Sequence, residues 1–106
     1  MLVKVTEPKV VAGMGIIPLT GGKYATVDAE DFENLRAYKW HYHKFGTTYY
    51  AARTVRTKTT TFHVYMHRQI MHCPRGKVVH HINGNGLDNR RKNLLVCTKE
   101  EHNFFH

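Results

Sequence analysis

The first two thirds of the chain consist of short segments in which apolar and polar residues alternate, a pattern typical of half-buried strands. Gly21 and Gly22 stand between two such segments and are typical of a tight hairpin turn. The chain before this hairpin is more polar and has only some β character. Strands are predicted at residues 16–19, 24–27, 40–43, 47–55 and 59–65, with turns at Lys44-Phe45-Gly46 and Arg56-Thr57-Lys58.

Three short helices are predicted from their start and stop signals. Asp28 precedes a group of acidic residues and is expected to be the N-cap of a helix that ends near residue 38. Residues 66–72 form the second helix, and Thr98-x-x-Glu101 is a capping box that opens the third. Strands at residues 78–82 and 94–97 flank a turn-rich loop before this last helix. The sequence therefore predicts an α+β fold.

Length and composition predict a single domain. The chain has 106 residues, 42% hydrophobic and 23% charged, which is typical of a globular protein, and no apolar run reaches the roughly 18 residues of a membrane span. The composition changes near residue 75 with no linker. We therefore expect one domain over residues 1–106, with a basic β-rich part at 1–74 and a histidine-rich part at 75–106.

Cysteine content and the N-terminal residues predict a reduced, cytoplasmic protein. Cys73 and Cys97 are too few for a disulfide framework or for a four-cysteine zinc site. The first residues include Lys4 and Glu7, which is not typical of a secretory signal. We therefore expect both thiols to be free.

Positive charge is concentrated in a stretch without acidic residues. The formal net charge is +8, and residues 34–87 contain no Asp or Glu. Tyrosines and a tryptophan are interleaved with the cations, which favours nucleic acid as the partner, although a solvated basic surface is the alternative. The cations of this stretch are Arg36, Lys39, Lys44, Arg53, Arg56, Lys58, Arg68, Arg75 and Lys77. We expect Arg53, Arg56 and Lys58, near one hairpin tip, to contact DNA.

Histidines in the last third of the chain are spaced to hold a metal ion. His80 and His81 are neighbours on a predicted strand and should point to opposite faces. His102 and His106 are four residues apart on a predicted helix and should share a face. This helical pair with either His80 or His81 supplies three imidazoles, the ligand number of many catalytic metals. The alternative is that they are ordinary strand and helix residues.

The spacing of these residues resembles that of the HNH endonucleases, also called ββα-metal nucleases. In that family a strand ends in Asp-His or His-His, a central Asn follows twelve residues later, and a helix ligand follows nine beyond it. The spacing here is 12 residues from His81 to Asn93 and nine from Asn93 to His102. Four more residues lead to His106, which is similar to the colicin-type DNases. The loop at residues 81–94 resembles the small phage and intron-associated members.

The resemblance implies a role for each residue of this motif. His81 is expected to be the general base that takes a proton from the attacking water. His80, His102 and His106 are expected to hold one divalent metal ion. Asn93 is expected to orient the loop and the base without touching the substrate.

The loop and the ligand set refine these expectations. Arg90, Arg91 and Lys92 are expected to contact phosphates, with a solvated loop as the alternative. Phage-type members often have Asp at the position of His80 and Asn at that of His102. The nitrogen-rich set favours Mn²⁺, with Ni²⁺, Co²⁺ or Zn²⁺ as alternatives, over Mg²⁺, which prefers oxygen ligands.

The resemblance implies a metal-dependent DNA endonuclease that hydrolyses a phosphodiester bond. One active site per chain predicts a nick in one strand of double-stranded DNA, made by a monomer, with a dimer as the alternative. Two other functions stay open at this point. One is a non-catalytic, metal-stabilised DNA-binding module, and the other is a toxin-type nuclease with an immunity partner.

Overall fold

The computed structural model describes residues 7–104, which adopt an α+β fold. Within this range there are nine strands: β1 (Lys9–Val11), β2 (Met14–Pro18), β3 (Tyr24–Asp28), β4 (His41–Phe45), β5 (Thr48–Arg56), β6 (Thr61–Tyr65), β7 (Lys77–His81), β8 (Asp88–Asn89) and β9 (Leu94–Thr98). The helices are α1 (Ala29–Leu35), α2 (Met66–Met71) and α3 (Lys99–Phe104), and a 3₁₀ turn spans Arg91–Asn93. None of these three helices has the length and apolar character that a membrane span requires.

The strands of residues 7–104 form three sheets. The first has the order β1-β2-β3-β8, in which β8 pairs parallel to β3 and the other pairs are antiparallel. The second is the antiparallel sheet β4-β5-β6, and the third is the antiparallel pair β7-β9. Helix α3 follows β9 directly, so the C-terminal part is a strand–strand–helix unit. This arrangement confirms the predicted α+β class with a β-rich N-terminal part.

One cluster of buried apolar residues draws on both the N-terminal and the C-terminal part of the chain. Trp40 is 2% exposed, and its indole Nε1 donates a 2.8 Å hydrogen bond to the Leu35 carbonyl at the end of α1. The same cluster includes Ile17 of β2, Val79 of β7 and Leu94 of β9. Burial of this shared apolar surface holds the strand–strand–helix unit against the β-rich part.

The predicted capping box fixes the start of α3. The Glu101 backbone N–H donates to Thr98 Oγ1 at 3.1 Å, and the Thr98 N–H donates to Glu101 Oε1 at 2.8 Å. These reciprocal bonds satisfy two backbone donors and set the direction in which α3 leaves β9. They therefore also help to position His102, which lies in the middle of this short helix.

Helix α1 begins after Asp28 as predicted, but the Asp28 side chain does not cap it. The Asp28 carboxylate instead accepts a 2.9 Å hydrogen bond from the backbone N–H of Arg91. This bond ties the start of α1 to the 3₁₀ turn, which lies more than 60 residues further along the chain. The Asp28 side chain thus stabilises a long-range contact instead of capping the helix.

Two strands and one turn differ from the prediction. Strands β1 and β8 contain only three and two residues, too few to show a period, and they form because β2 and β3 offer edges for pairing. Lys44 and Phe45 belong to β4 rather than to a turn. Gly46 reverses the chain, with φ of +58°, a conformation that favours glycine.

Candidate active site

Three of the histidines identified from the sequence line one cleft beside β7 and α3. His80, His81 and His102 all reach this cleft, which has a volume of about 290 Å³. Phe45 and Tyr50, from the sheet β4-β5-β6, line it from the other side. The structure therefore brings the predicted metal ligands of residues 7–104 and the predicted base to a common opening.

The loop after β7 packs closely against β5 and forms one wall of this cleft. Gly86 makes the approach possible, because a Cβ there would overlap the Tyr49 carbonyl oxygen and lie 2.7 Å from Tyr50 Cδ1. Gly84, with φ of +78°, forms the turn that begins the loop. Both glycines are part of the segment whose turn chemistry the sequence predicts.

His80 and His81 lie on opposite faces of β7, as predicted. The His80 ring faces α3, and its centroid is 5.4 Å from that of His102. Both of these residues are half-buried, and together a strand and a helix bring two imidazole rings close to each other. The His81 ring turns inward, where its centroid lies 4.8 Å from that of His67 and 5.6 Å from that of Tyr50.

A hydrogen bond to Asn89 fixes the orientation of the His81 ring. His81 Nε2 donates to Asn89 Oδ1 at 2.8 Å, so Nε2 carries the proton and Nδ1 has the free lone pair. Burial lowers the pKa of His81, and the nearby His80 lowers it further, whereas the bond to Asn89 and the charge of Asp88 act in the opposite direction. The ring is therefore neutral at pH 7, with Nδ1 able to accept a proton.

Asn93 holds the loop between β7 and β9 together. Its Oδ1 accepts a 2.9 Å hydrogen bond from the backbone N–H of Asn83, and its Nδ2 donates at 2.9 Å to Asn83 Oδ1 and to the Asp88 carbonyl. The residue is 6% exposed, so its amide serves this network rather than the cleft. Such contacts are those expected of a residue that orients the loop, the role implied for it by the resemblance.

His67 is a buried neighbour of His81 to which the sequence assigned no chemical role. Burial, His81 and Arg68 together lower the pKa of His67 to about 3, so its ring is neutral at pH 7. Neither its Nδ1 nor the Nδ2 of Asn89 has a hydrogen-bond partner within residues 7–104. Two residues in contact with His81 thus have unpartnered buried polar atoms, which are costly and are commonly retained where function requires them.

Comparison with known families identifies this part of the chain. Residues 64–104 match the family model of the HNH endonucleases. This segment belongs to the HNH endonuclease family. It includes His80, His81, Asn93 and His102, and it runs from β6 to the end of α3. No curated protein and no solved structure matches the chain.

The HNH match agrees with the nuclease interpretation of the sequence at the level of the family. HNH proteins are nucleases that act on DNA and usually bind a divalent metal ion, which fits imidazole donors beside a cleft. His106 lies outside the described residues, so its proposed ligand role has no structural description. The phage-like and colicin-like features of the sequence stay predictions.

The six cations predicted to contact DNA fall into two groups. Arg90 forms a bidentate pair with Asp88, with both hydrogen bonds at 2.8 Å, and Arg91 forms one with Asp31 at 2.7 and 2.9 Å. Arg53 donates to Gln69 at 2.9 Å and stacks on Tyr38. These three guanidinium groups have protein partners, even though Arg91 is exposed. Arg56, Lys58 and Lys92 form the second group, and all three are exposed.

The two bidentate pairs shift the pKa values of their partners. The pKa of Asp88 is lowered to about 2, chiefly by its hydrogen bonds with Arg90. The pKa of Arg91 is raised, chiefly by Asp31. Arg90 is therefore bound within the segment between β7 and β9, and Arg91 ties this segment to α1. Both pairs compete with the phosphate contacts that the sequence predicted for these arginines.

A second group of histidines, on the sheet β4-β5-β6, was not identified from the sequence. His41, His43 and His63 offer ring nitrogens that lie within 4.8 Å of one another. His41 and His43 are two residues apart on one strand and share a face, a signal that the sequence does contain. The contribution of His63 depends on strand register, which the sequence alone does not show.

Proposed function

We propose that this chain is a metal-dependent endonuclease that hydrolyses a phosphodiester bond and nicks one strand of duplex DNA. The observation that carries the proposal is the division of histidines across β7. His80 meets His102 on one side, while His81 on the other side has a fixed ring with a free Nδ1. Metal binding and proton transfer are thereby assigned to different side chains at one cleft.

His80 and His102 have the donor chemistry for a divalent metal ion. Their ring centroids are 5.4 Å apart, and both reach the cleft. When bound, the ion supplies Lewis acidity toward the scissile phosphate and stabilises the leaving 3′ oxygen. We propose His106 as the third ligand because it follows His102 by four residues in the sequence, the spacing of paired metal ligands on helices. The imidazole donors favour Mn²⁺, Co²⁺, Ni²⁺ or Zn²⁺ over Mg²⁺.

His81 is the proposed general base. Its Nδ1 accepts the proton of the attacking water, while Nε2 stays bonded to Asn89 Oδ1 at 2.8 Å. The resulting imidazolium is stabilised by the Asn89 oxygen and by the nearby Asp88 carboxylate, the two influences that raise its pKa. Asn93 acts indirectly, since it holds the loop that carries these groups.

The proposal assigns DNA binding to the basic part, residues 1–74, and catalysis to residues 75–106 of one domain. A chain with one such cleft cuts one strand per binding event, so a monomer is sufficient for a nick. A double-strand break would require a dimer or two successive events. The substrate in this scheme is double-stranded DNA.

A supercoiled plasmid tests the proposed reaction directly. The purified protein with Mn²⁺ is expected to convert supercoiled plasmid to the open circular form before any linear form appears. A chelator control should abolish conversion. Absence of conversion with Mn²⁺, Ni²⁺, Co²⁺, Zn²⁺ and Mg²⁺ in turn, with plasmid binding retained, would instead support the non-catalytic DNA-binding module.

DNA binding is expected to depend on the exposed hairpin between β5 and β6. Replacing Arg56 and Lys58 together by Glu should reduce the slope of log affinity against log salt by about 2, because each phosphate that is no longer neutralised removes ~0.9 from the slope. Metal affinity should not change. Fluorescence anisotropy with a labelled duplex between about 50 and 200 mM salt measures the slope.

A charge-matched control separates this hairpin from a general effect of net charge. Lys9→Glu with Arg75→Glu makes the same change in net charge at exposed residues of β1 and of the segment between α2 and β7, outside the hairpin. Equal loss of affinity in both double variants would mean that the hairpin makes no specific contact. Arg53 is left out because its stacking on Tyr38 would be lost as well.

A further inference from the structure

We propose that His41, His43 and His63 form a second metal site, selective for Zn²⁺ and similar transition metals. It is separate from the cleft lined by His80, His81 and His102, hereafter the HNH cleft. One donor nitrogen from each ring lies within 4.8 Å of the other two. Two of the residues are half-buried and the third is exposed, so the site opens to solvent at one side. Neither the HNH match nor the motif that it contains includes His41 or His43.

Strand register places the three rings on the same face of the sheet β4-β5-β6. His41 and His43 are two residues apart on β4, and residues at that spacing share a face. On the central strand β5, Ala52 pairs with His41 of β4. Thr54, two residues further along β5 and on the same face, pairs with His63 of β6. The imidazole rings of the two outer strands thus lie over β5, close to each other.

Contacts among the side chains show that the ring nitrogens converge. His41 Nε2 lies 3.1 Å and His63 Nδ1 lies 3.2 Å from the same Thr54 hydroxyl oxygen. The ring centroid of His43 is 4.7 Å from that of His41 and 4.6 Å from that of His63. A tetrahedral zinc with Zn–N bonds of about 2.0–2.1 Å needs nitrogens roughly 3.4 Å apart, which modest side-chain rotation can provide.

The donor set determines the class of metal. Three imidazole donors favour Zn²⁺, Co²⁺, Ni²⁺ or Cu²⁺, whereas Mg²⁺ and Ca²⁺ prefer oxygen ligands. The fourth position is open to water or to the Thr54 hydroxyl. Because the ligands come from β4 and β6, a bound ion would link the two outer strands.

The new site and the HNH cleft are distinct. Two aromatic rings lie between His43 and His81. The Tyr65 ring centroid is 6.0 Å from that of His43, and the His67 centroid is 5.6 Å from that of Tyr65. His81 comes only after these, at 4.8 Å from His67. Two rings therefore separate the site from the proposed base, and the sites share no ligand.

Metal stoichiometry tests this inference independently of DNA cleavage. Cobalt is titrated into the purified full chain, followed by visible absorption and by elemental analysis after gel filtration. Parent protein is expected to bind two equivalents, His63→Asn one, His102→Ala one, and the double variant none. His63 is exposed, so its replacement should leave the fold intact. His72→Asn is the matched control, because this histidine belongs to neither site, and it should keep two equivalents.

The outcomes distinguish this inference from the proposed function. If His63→Asn binds as much cobalt as the parent, the second site does not exist. If the parent binds one equivalent that is lost in His63→Asn and kept in His102→Ala, the second site stands and the proposed cleft metal fails. Displacement of the His63-dependent cobalt by excess Mg²⁺ would overturn the assigned class of metal. Zn²⁺ should also raise the melting temperature of His102→Ala, and this increase should vanish when His63→Asn is added.

Discussion

The His81→Ala variant is expected to nick DNA roughly 10²–10⁴-fold more slowly than the parent protein, the usual contribution of a general base. The substitution removes the proposed proton acceptor, a ring held in place at the cleft by its bond to Asn89. His80 and His102 stay in place, so affinity for metal and DNA should be close to that of the parent. Single-turnover rates at saturating metal, with metal occupancy measured in the same samples, provide the comparison.

Rescue by added imidazole tests whether His81 acts as a proton acceptor. If the variant lacks only a proton acceptor, free imidazole entering the cleft should restore part of the lost rate, and it should not accelerate the parent. Circular dichroism checks the fold, because His81 is 6% exposed and its truncation leaves a cavity. Loss of metal by His81→Ala, together with its retention by His80→Ala, would reverse the two roles. Normal metal binding and cleavage in both variants would contradict the mechanism.

The pH profile of the parent follows from the same environment. Burial lowers the pKa of His81 below its ordinary value of 6.5, so the neutral, proton-accepting form persists below that pH. The rate should therefore fall only as the pH drops through this lowered pKa. Metal binding by histidines is itself pH-dependent, so only rates at constant metal occupancy report on His81.

Local signals explain why the C-terminal unit could be predicted well from the sequence. The alternation through β7, the glycines of the loop and the Thr98–Glu101 capping box each act within a few residues. Together they place His80 and His81 on opposite faces and His102 on the facing helix. The relative positions of these three histidines could therefore be predicted, because they depend on residues that are close together in the sequence.

Long-range partners explain what the sequence could not show. Arg91 looks like a free loop cation until the fold brings Asp31, 60 residues earlier in the chain, into a bidentate pair. Asn89 looks like a turn residue, and only the packing of the loop under β7 makes it the partner of His81. The same holds for His63, whose neighbours are set by the register of β5 and β6.

The His102→Ala variant is expected to lose detectable cleavage together with most of its affinity for the metal at the cleft. A lost ligand should cost more than the 10–100-fold that is typical of losing an outer partner of a ligand. The ring centroids of His102 and His80 are 5.4 Å apart. Within residues 7–104, these two are the ligands proposed for the metal at the HNH cleft. Isothermal titration with Mn²⁺ and the plasmid assay measure the two losses, while DNA affinity without metal should not change.

Two residues close to His102 in the sequence supply the controls for this loss. Asn103→Ala alters an exposed residue on the same helix and should keep both metal affinity and cleavage. His106→Ala should weaken both less severely than His102→Ala, because water can replace a ligand at an open coordination position. If His106→Ala behaves like the parent, the four-residue spacing does not mark a third ligand. If His102→Ala keeps full cleavage, the ion acts elsewhere, and the HNH cleft is not the metal centre of this protein.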